Sequence, residues 1–368
     1  MIHVSEYDQD LLVDPKTRGT EDIIHRIVAI GSRSVPSAQS FISTVCSSAP
    51  NDIKAYGTYD EVFSDPDVHA IYIGTPHTLH YPSALAALKA KKAVLCEKPV
   101  TSTKAELEEL LKVAKENNTF FMEAMWTRFQ PALEDVLKVL EEGKIGKPVV
   151  VQGDLSGDFD VDSKLQTSLR DFVLTVLGTL IDIPTSHRIL DPKLGGGALL
   201  DLGPYPLVWA LSALYLHPSN KGAPPDLIVG SMLKNKRTGV DANTSFTLHF
   251  NELEAQAILT CSINLDAVES PGVLIRCEKG TIEIHKPIYC PKKVVVRPKG
   301  GGEAQVSEYE YTGGGWHFQA DEVARSVKEG KIESDKWTWE LSKLEMGIFD
   351  EVRKQGGYTF PEGVEWVK

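Results

Sequence analysis

The stretch Val94–Ser102, "VLCEKPVTS", decides how the fold is read. It starts as an apolar strand and ends on Glu97, Lys98 and Pro99, with no turn residue to follow. The pattern recurs on both sides. "RIVAIGSRS" from Arg26, "AIYIGTP" from Ala70, "AVLCEKP" from Ala93 and "TFFMEAM" from Thr119 are all apolar runs. Helical patterns separate them. Pro36–Cys46 reads as a helix with Ser34 as its cap, and Thr58 and Glu61 sit at capping-box spacing before a short one. Ser83–Lys91 is a third. Thr103 and Glu106 form another capping box, opening a helix with Leu107, Leu110, Leu111 and Ala114 on one face.

Apolar strands alternating with amphipathic helices predict a doubly wound α/β domain around a parallel sheet. In such sheets ligands bind beyond the carboxyl ends of the strands. There the chain places Ser32-Arg33, Thr75-Pro76-His77, Glu97-Lys98-Pro99 and Trp126-Thr127-Arg128. After Pro131 a helix runs to about Glu142, and longer alternating segments follow: "TSFTLHF", "AQAILTCSI", "GTIEIH" and "KKVVVRP". Their period of two predicts an α+β domain with a large, mostly antiparallel open sheet. A last helix spans about Thr338–Lys354 and stops at Gly356-Gly357. The expected division is residues 1–130 and 131–368.

Composition narrows the function. The chain has 368 residues, 42% hydrophobic and 24% charged, with a net charge of −12. That length suits two domains. No basic stripe points to nucleic acid or an anionic membrane. "FVLTVLGTLIDI" from Phe172 is too short to span a bilayer. Five scattered cysteines without a C-x-x-C pair argue for reduced thiols and a cytoplasmic location. No histidine or cysteine cluster has metal spacing, so no metal is expected.

Lys98 is the first candidate for chemistry. Pro99 restricts it to an extended geometry and aims its side chain, although an ordinary solvent lysine would also fit. The second is "GGGALLDLGPYPLVW", Gly195–Trp209, in which Asp201 and Tyr205 lie four apart, on one face of any helix. A helix cap and a core tyrosine are the alternatives. A free phenol has a pKa near 10, and a nearby ammonium moves it toward the range of a useful base. After "RIVAIG" come Ser32, Arg33 and Ser34 with no acidic residue, which suits the 2′-phosphate of NADP better than the ribose hydroxyls of NAD. A solvent arginine would look the same.

Together "AVLCEKP", "IGTPHTLH", "EAMWTRF" and "GGGALLDLGPY" resemble the glucose–fructose oxidoreductase / inositol dehydrogenase family. Within it they are similar to the branch of dimeric dihydrodiol dehydrogenases and NADP-dependent D-xylose dehydrogenases. The resemblance implies a Rossmann-type first domain and NADP as cofactor. It also implies catalysis by Tyr205 as general base, Lys98 as its ammonium partner and Asp201 as supporting carboxylate. Thr75, Pro76, His77, His80, Glu97 and Lys98 would line the cofactor. Trp126, Arg128 and Arg188 would line the substrate pocket. The implied reaction oxidises the C1 hydroxyl of an aldopyranose such as D-xylose to the lactone, with a trans-dihydrodiol as the alternative substrate. A non-catalytic, dinucleotide-sensing member is the alternative from another class. A homodimer through the open sheet is implied as well.

Two departures from the family pattern are expected. The fingerprint G-x-G-x-x-G should follow a strand before "RIVAIG", yet no glycine precedes Gly19. The first strand and its Gly-rich loop therefore read as missing, which predicts weak NADP binding. Residues 164–183 read as an insert between a strand near Asp158–Asp162 and "PTSHRILDPKLGGG". A translated intron is preferred over a lid helix, with Met1 an equally displaced start.

Overall fold

The structure, a computed structural model, describes residues 22–46, 52–159, 161, 183–267, 269, 271–311 and 314–367. It falls into two compact units. The first draws on Met1–Gln130, Glu310–Lys343 and Trp366–Lys368, and the second on Pro131–Tyr309 and Leu344–Glu365. The first unit thus takes in residues 310–343 and 366–368 in addition to 1–130.

The first unit alternates as expected: β1 (Ala29–Gly31), α1 (Val35–Val45), β2 (Lys54–Tyr56), α2 (Tyr59–Ser64), β3 (Ala70–Ile73), α3 (His80–Lys89), β4 (Ala93–Glu97), α4 (Lys104–Glu116) and β5 (Phe121–Ala124). Every residue of β4 and β5 is buried, the reason both read as continuous apolar runs. Ser34 caps α1, and both halves of the capping box hold at Thr58 and Glu61. At α4 only half of it forms. Thr103 accepts from the Glu106 N–H, while the Glu106 carboxylate turns to the Ser102 N–H. Helix α3 begins at His80, three residues before the expected Ser83, directly after the 3-10 turn His77–Leu79.

β1 pairs with β2, and β3 with β4 and β5, all in parallel. Among the described residues these are two separate sheets. In the order 3-2-1-4-5-6 the break falls at the place of strand 1. The expectations about that strand and its Gly-rich loop concern residues 1–21, and those about the insert concern residues 164–183. All of these but Ile183 lie outside the described residues.

The second unit holds α5 (Pro131–Glu142), β6 (Pro148–Ser156), α6 (Ala198–Leu202), α7 (Pro204–Ala210) and β7 to β13. The last seven strands are Leu227–Lys234, Asp241–Phe250, Ala255–Ser262, Val273–Cys277, Gly280–Ile284, Lys293–Pro298 and Gln305–Glu308. They form an eight-stranded sheet with β6, in the order β13-β12-β11-β10-β6-β9-β8-β7. Every pair is antiparallel except β6 with β9. The strand expected near Asp158–Asp162 ends at Ser156, and Asp158 keeps only an isolated bridge to Asn264. The chain closes with α8 (His317–Lys328), in the first unit, and α9 (Trp339–Gln355). Phe246, Leu248 and Phe250 are buried, and Phe246 meets Phe349 of α9 edge-on. At the β7 edge Gln355 accepts from the Gly230 N–H and donates to the Ile228 carbonyl. The helical run Pro192–Tyr215 is long enough to cross a membrane, yet its apolar 18-residue window is wholly buried in this unit.

The three glycines before α6 have separable duties. A side chain at Gly196 would strike the backbone carbonyls of Ile189 at 2.7 Å and Arg188 at 2.9 Å. At Gly197, whose φ is +120°, a Cβ would lie 2.0 Å from the Asp241 carboxylate. That carboxylate accepts from the Leu199 N–H and the Thr244 hydroxyl, each at 2.7 Å, at the positive end of α6. Gly197→Ala is expected to lower stability by about 2–4 kcal/mol, from backbone strain and overpacking together; urea unfolding measures it, and an unchanged midpoint would contradict the cradle.

Candidate active site

In the first unit, residues 98–102 run on from β4 without a partner strand, and three carboxylates take their place. Glu97 accepts from the Lys98 N–H at 3.2 Å, Glu123 from the Val100 N–H at 3.0 Å, and Glu106 from the Ser102 N–H at 2.9 Å. Pro99, between the first two, has no N–H to satisfy. The Lys98–Pro99 peptide is cis. A segment satisfied in this way needs no turn residue. Lys98 is left only 9% exposed at the carboxyl edge of the sheet.

Glu123, buried in β5, went unnoticed from sequence. Besides Val100 it accepts from the Trp337 indole N–H at 3.0 Å and the Ser342 hydroxyl at 2.6 Å. Burial pushes its carboxyl above the usual range, with the Ser342, Trp337 and Val100 hydrogen bonds pulling the other way. The available signal was an acid inside the apolar run "FFMEAM". Tyr72 was also missed; its hydroxyl donates to Glu97 at 2.5 Å.

His80 joins two loops. Its Nδ1 lies 2.7 Å from the Pro99 carbonyl and its Nε2 2.8 Å from the Thr75 carbonyl. Burial pulls the ring down to about 4, the Lys98 charge adds to this, and the two carbonyls oppose it. His77 sits 5.8 Å from it, ring to ring. The Thr75 hydroxyl is buried with no partner. An orphan hydroxyl at the carboxyl end of β3 fits a bound dinucleotide, which would satisfy it. Ser32, exposed Arg33, Thr75, Pro76, His77 and Glu97 are the described residues placed to hold one. Ser34 is engaged as the cap of α1.

Trp126 and Arg128, expected in the pocket wall, are both buried in a 3-10 turn after β5. Trp126 stacks on Trp316 at 4.9 Å, and Arg128 Nε donates to the Lys336 carbonyl. Both contacts lie within the first unit.

In the second unit, Asp201 and Tyr205 lie on consecutive helices joined at Gly203, which is itself helical. Asp201 sits within α6, whose N-cap is Gly197, so it does not cap that helix. Its Oδ1 accepts from Arg188 Nη1 at 2.9 Å. Asp201 holds Arg188 in its charged form, and Tyr205 contributes to the same end. Arg188, expected as a substrate contact, is thus the ion-pair partner of Asp201 and the cation beside Tyr205. The Tyr205 ring lies 5.5 Å from that of Tyr289. Lys98 belongs to the first unit and Tyr205 to the second.

Residues 12–125 match the model of an oxidoreductase family with an NAD-binding Rossmann fold, and residues 133–283 match the GFO/IDH/MocA C-terminal domain. The D-xylose 1-dehydrogenase (NADP(+)) of Hypocrea jecorina is 35% identical over 96% of this chain and 89% of that relative. The chain belongs to the GFO/IDH/MocA oxidoreductase family. A trans-1,2-dihydrobenzene-1,2-diol dehydrogenase of Sus scrofa is 34% identical over 92% of this chain and 91% of its own. Among solved structures, the aldose–aldose oxidoreductase of Caulobacter crescentus shares the fold, with a TM-score of 0.72 at 19% identity over 90% of each chain.

Two outcomes follow from this geometry. Glu123→Ala leaves three buried donors without an acceptor and is expected to cost about 3–5 kcal/mol in urea unfolding, with Glu123→Gln costing less. For His80 the folded state resists the proton that the unfolded chain takes up near 6.5. Stability therefore falls as pH drops from 6.5 toward 4, by about 3 kcal/mol. His80→Gln should flatten that slope, as read by unfolding at successive pH values.

Proposed function

We propose that this chain is an NADP-dependent dehydrogenase that oxidises the C1 hydroxyl of an aldopyranose such as D-xylose to the lactone. The observation that carries the reading is the seating of Lys98: a buried lysine whose backbone is fixed by carboxylates at the ligand-binding edge of a parallel sheet. Similarity to the NADP-dependent D-xylose 1-dehydrogenase over nearly the whole chain supports the substrate class. Arg33 after β1, with no acid beside it, supports NADP over NAD.

When bound, the dinucleotide accepts hydride from the substrate carbon. Tyr205 takes the proton of the hydroxyl being oxidised. Arg188, anchored by Asp201, keeps positive charge beside the phenol and stabilises the anion formed when it gives up its own proton. His77 and His80 would lie at the nicotinamide end, with Thr75 beside them, and Arg33 would meet the 2′-phosphate. The exposed apolar side chains Leu227, Val229 and Leu233 of β7 and Ile258 of β9 support a second copy of the chain as partner.

A trans-dihydrodiol is the second substrate reading, favoured by the 34% identical relative. Steady-state assays with NADP+ and either D-xylose or a trans-dihydrodiol decide between them by kcat/KM. Tyr205→Phe is expected to lower kcat by about 10²–10⁴ while leaving NADPH binding unchanged; wild-type rates in that variant would remove Tyr205 from catalysis. NADPH binding without turnover of either substrate would favour a dinucleotide sensor.

A further inference from the structure

Trp366 is 52% exposed, so its large ring contributes little by burial. What it does contribute is two hydrogen bonds, one to the first turn of α4, whose Glu106 in turn holds the loop after β4, and one to the turn after β3. Its backbone N–H donates to Glu106 Oε1 at 2.8 Å, and its indole Nε1–H donates to the Thr78 carbonyl at 3.0 Å. The other Glu106 oxygen holds the Ser102 N–H, at the far end of the segment that begins with Lys98. Thr78 lies in the turn between His77 and His80. Trp366 therefore ties the loop after β3 to the loop after β4. His80 ties the same pair independently, through the Thr75 and Pro99 carbonyls. Two cross-links between the same two loops fix their separation, and both loops carry residues of the candidate dinucleotide edge.

We propose that Trp366 is a positioning residue for the dinucleotide, holding the loops of His77 and Lys98 at the spacing that binding requires. The proposal rests on the reading of this edge as the dinucleotide site. It adds a residue 268 positions from Lys98 in the chain, one with no part in the chemistry.

Trp366→Phe tests it, since an aromatic ring and the backbone N–H remain while the bond to the Thr78 carbonyl is lost. The expected result is a two- to tenfold weaker NADPH Kd by fluorescence titration, that is, about the worth of one hydrogen bond. The KM for NADP+ should rise alike, with kcat at saturating NADP+ and the thermal midpoint nearly unchanged. Amide exchange without ligand should quicken in peptides covering 77–81 and 102–106. A variant with wild-type Kd overturns the proposal, even if its melting temperature drops, because Trp366 would then be holding the fold alone. If the wild type itself does not bind NADPH, the dinucleotide reading falls and exchange decides: unchanged rates overturn the brace, faster rates uphold it.

Discussion

Residues 98–102 leave the sheet as buried backbone without a partner strand, and buried backbone must find hydrogen-bond partners. Here the partners are side chains. Glu97, Glu123 and Glu106 each accept one N–H, from Lys98, Val100 and Ser102 in turn, so that alternate amides are satisfied along one side of the segment. A strand could have done the same, but it would have covered the edge where ligands bind in sheets of this kind. The arrangement also explains the otherwise odd acid in the middle of β5, because Glu123 reaches from an apolar strand to Val100, Trp337 and Ser342 at once.

The second unit solves a related problem with glycine. Asp241, projecting from β8, sits at the start of α6 and takes the Leu199 N–H. Gly197 leaves the space for that carboxylate, and Gly196 leaves the space for the carbonyls of Arg188 and Ile189. The loop bearing Arg188 is thereby pressed against the helix bearing Asp201, and the ion pair follows from the backbone path. One buried acid organises the helix; a second holds the cation next to Tyr205.

Of the parallel strands of the first unit, β4 and β5 were legible because each is buried throughout, whereas β2, three residues with Lys54 exposed, went unread. Antiparallel strands were legible where one face alternates cleanly, as in "TSFTLHF". β7, "LIVGSMLK", escaped notice because it is an edge strand interrupted by Gly230, with apolar side chains facing outward. Lys98, Tyr205, Asp201 and Arg188 could be singled out from local motifs. Their supports could not: Glu123 meets Trp337 and Ser342 more than 200 positions away. Nothing local distinguishes Trp337 from any other core tryptophan. Asp201 shows a related limit, since its spacing to Tyr205 was visible while its ion pair with Arg188 depends on how the chain folds back at the glycines.

Gln355 bears on how copies of this chain can associate. Its amide occupies the outward N–H of Gly230 and the outward carbonyl of Ile228, two of the groups through which an open strand templates the addition of another. With those positions filled, edge-to-edge polymerisation along β7 is blocked by a side chain of the same subunit. The apolar residues of that strand can then be exposed on the flat of the sheet without seeding a fibre.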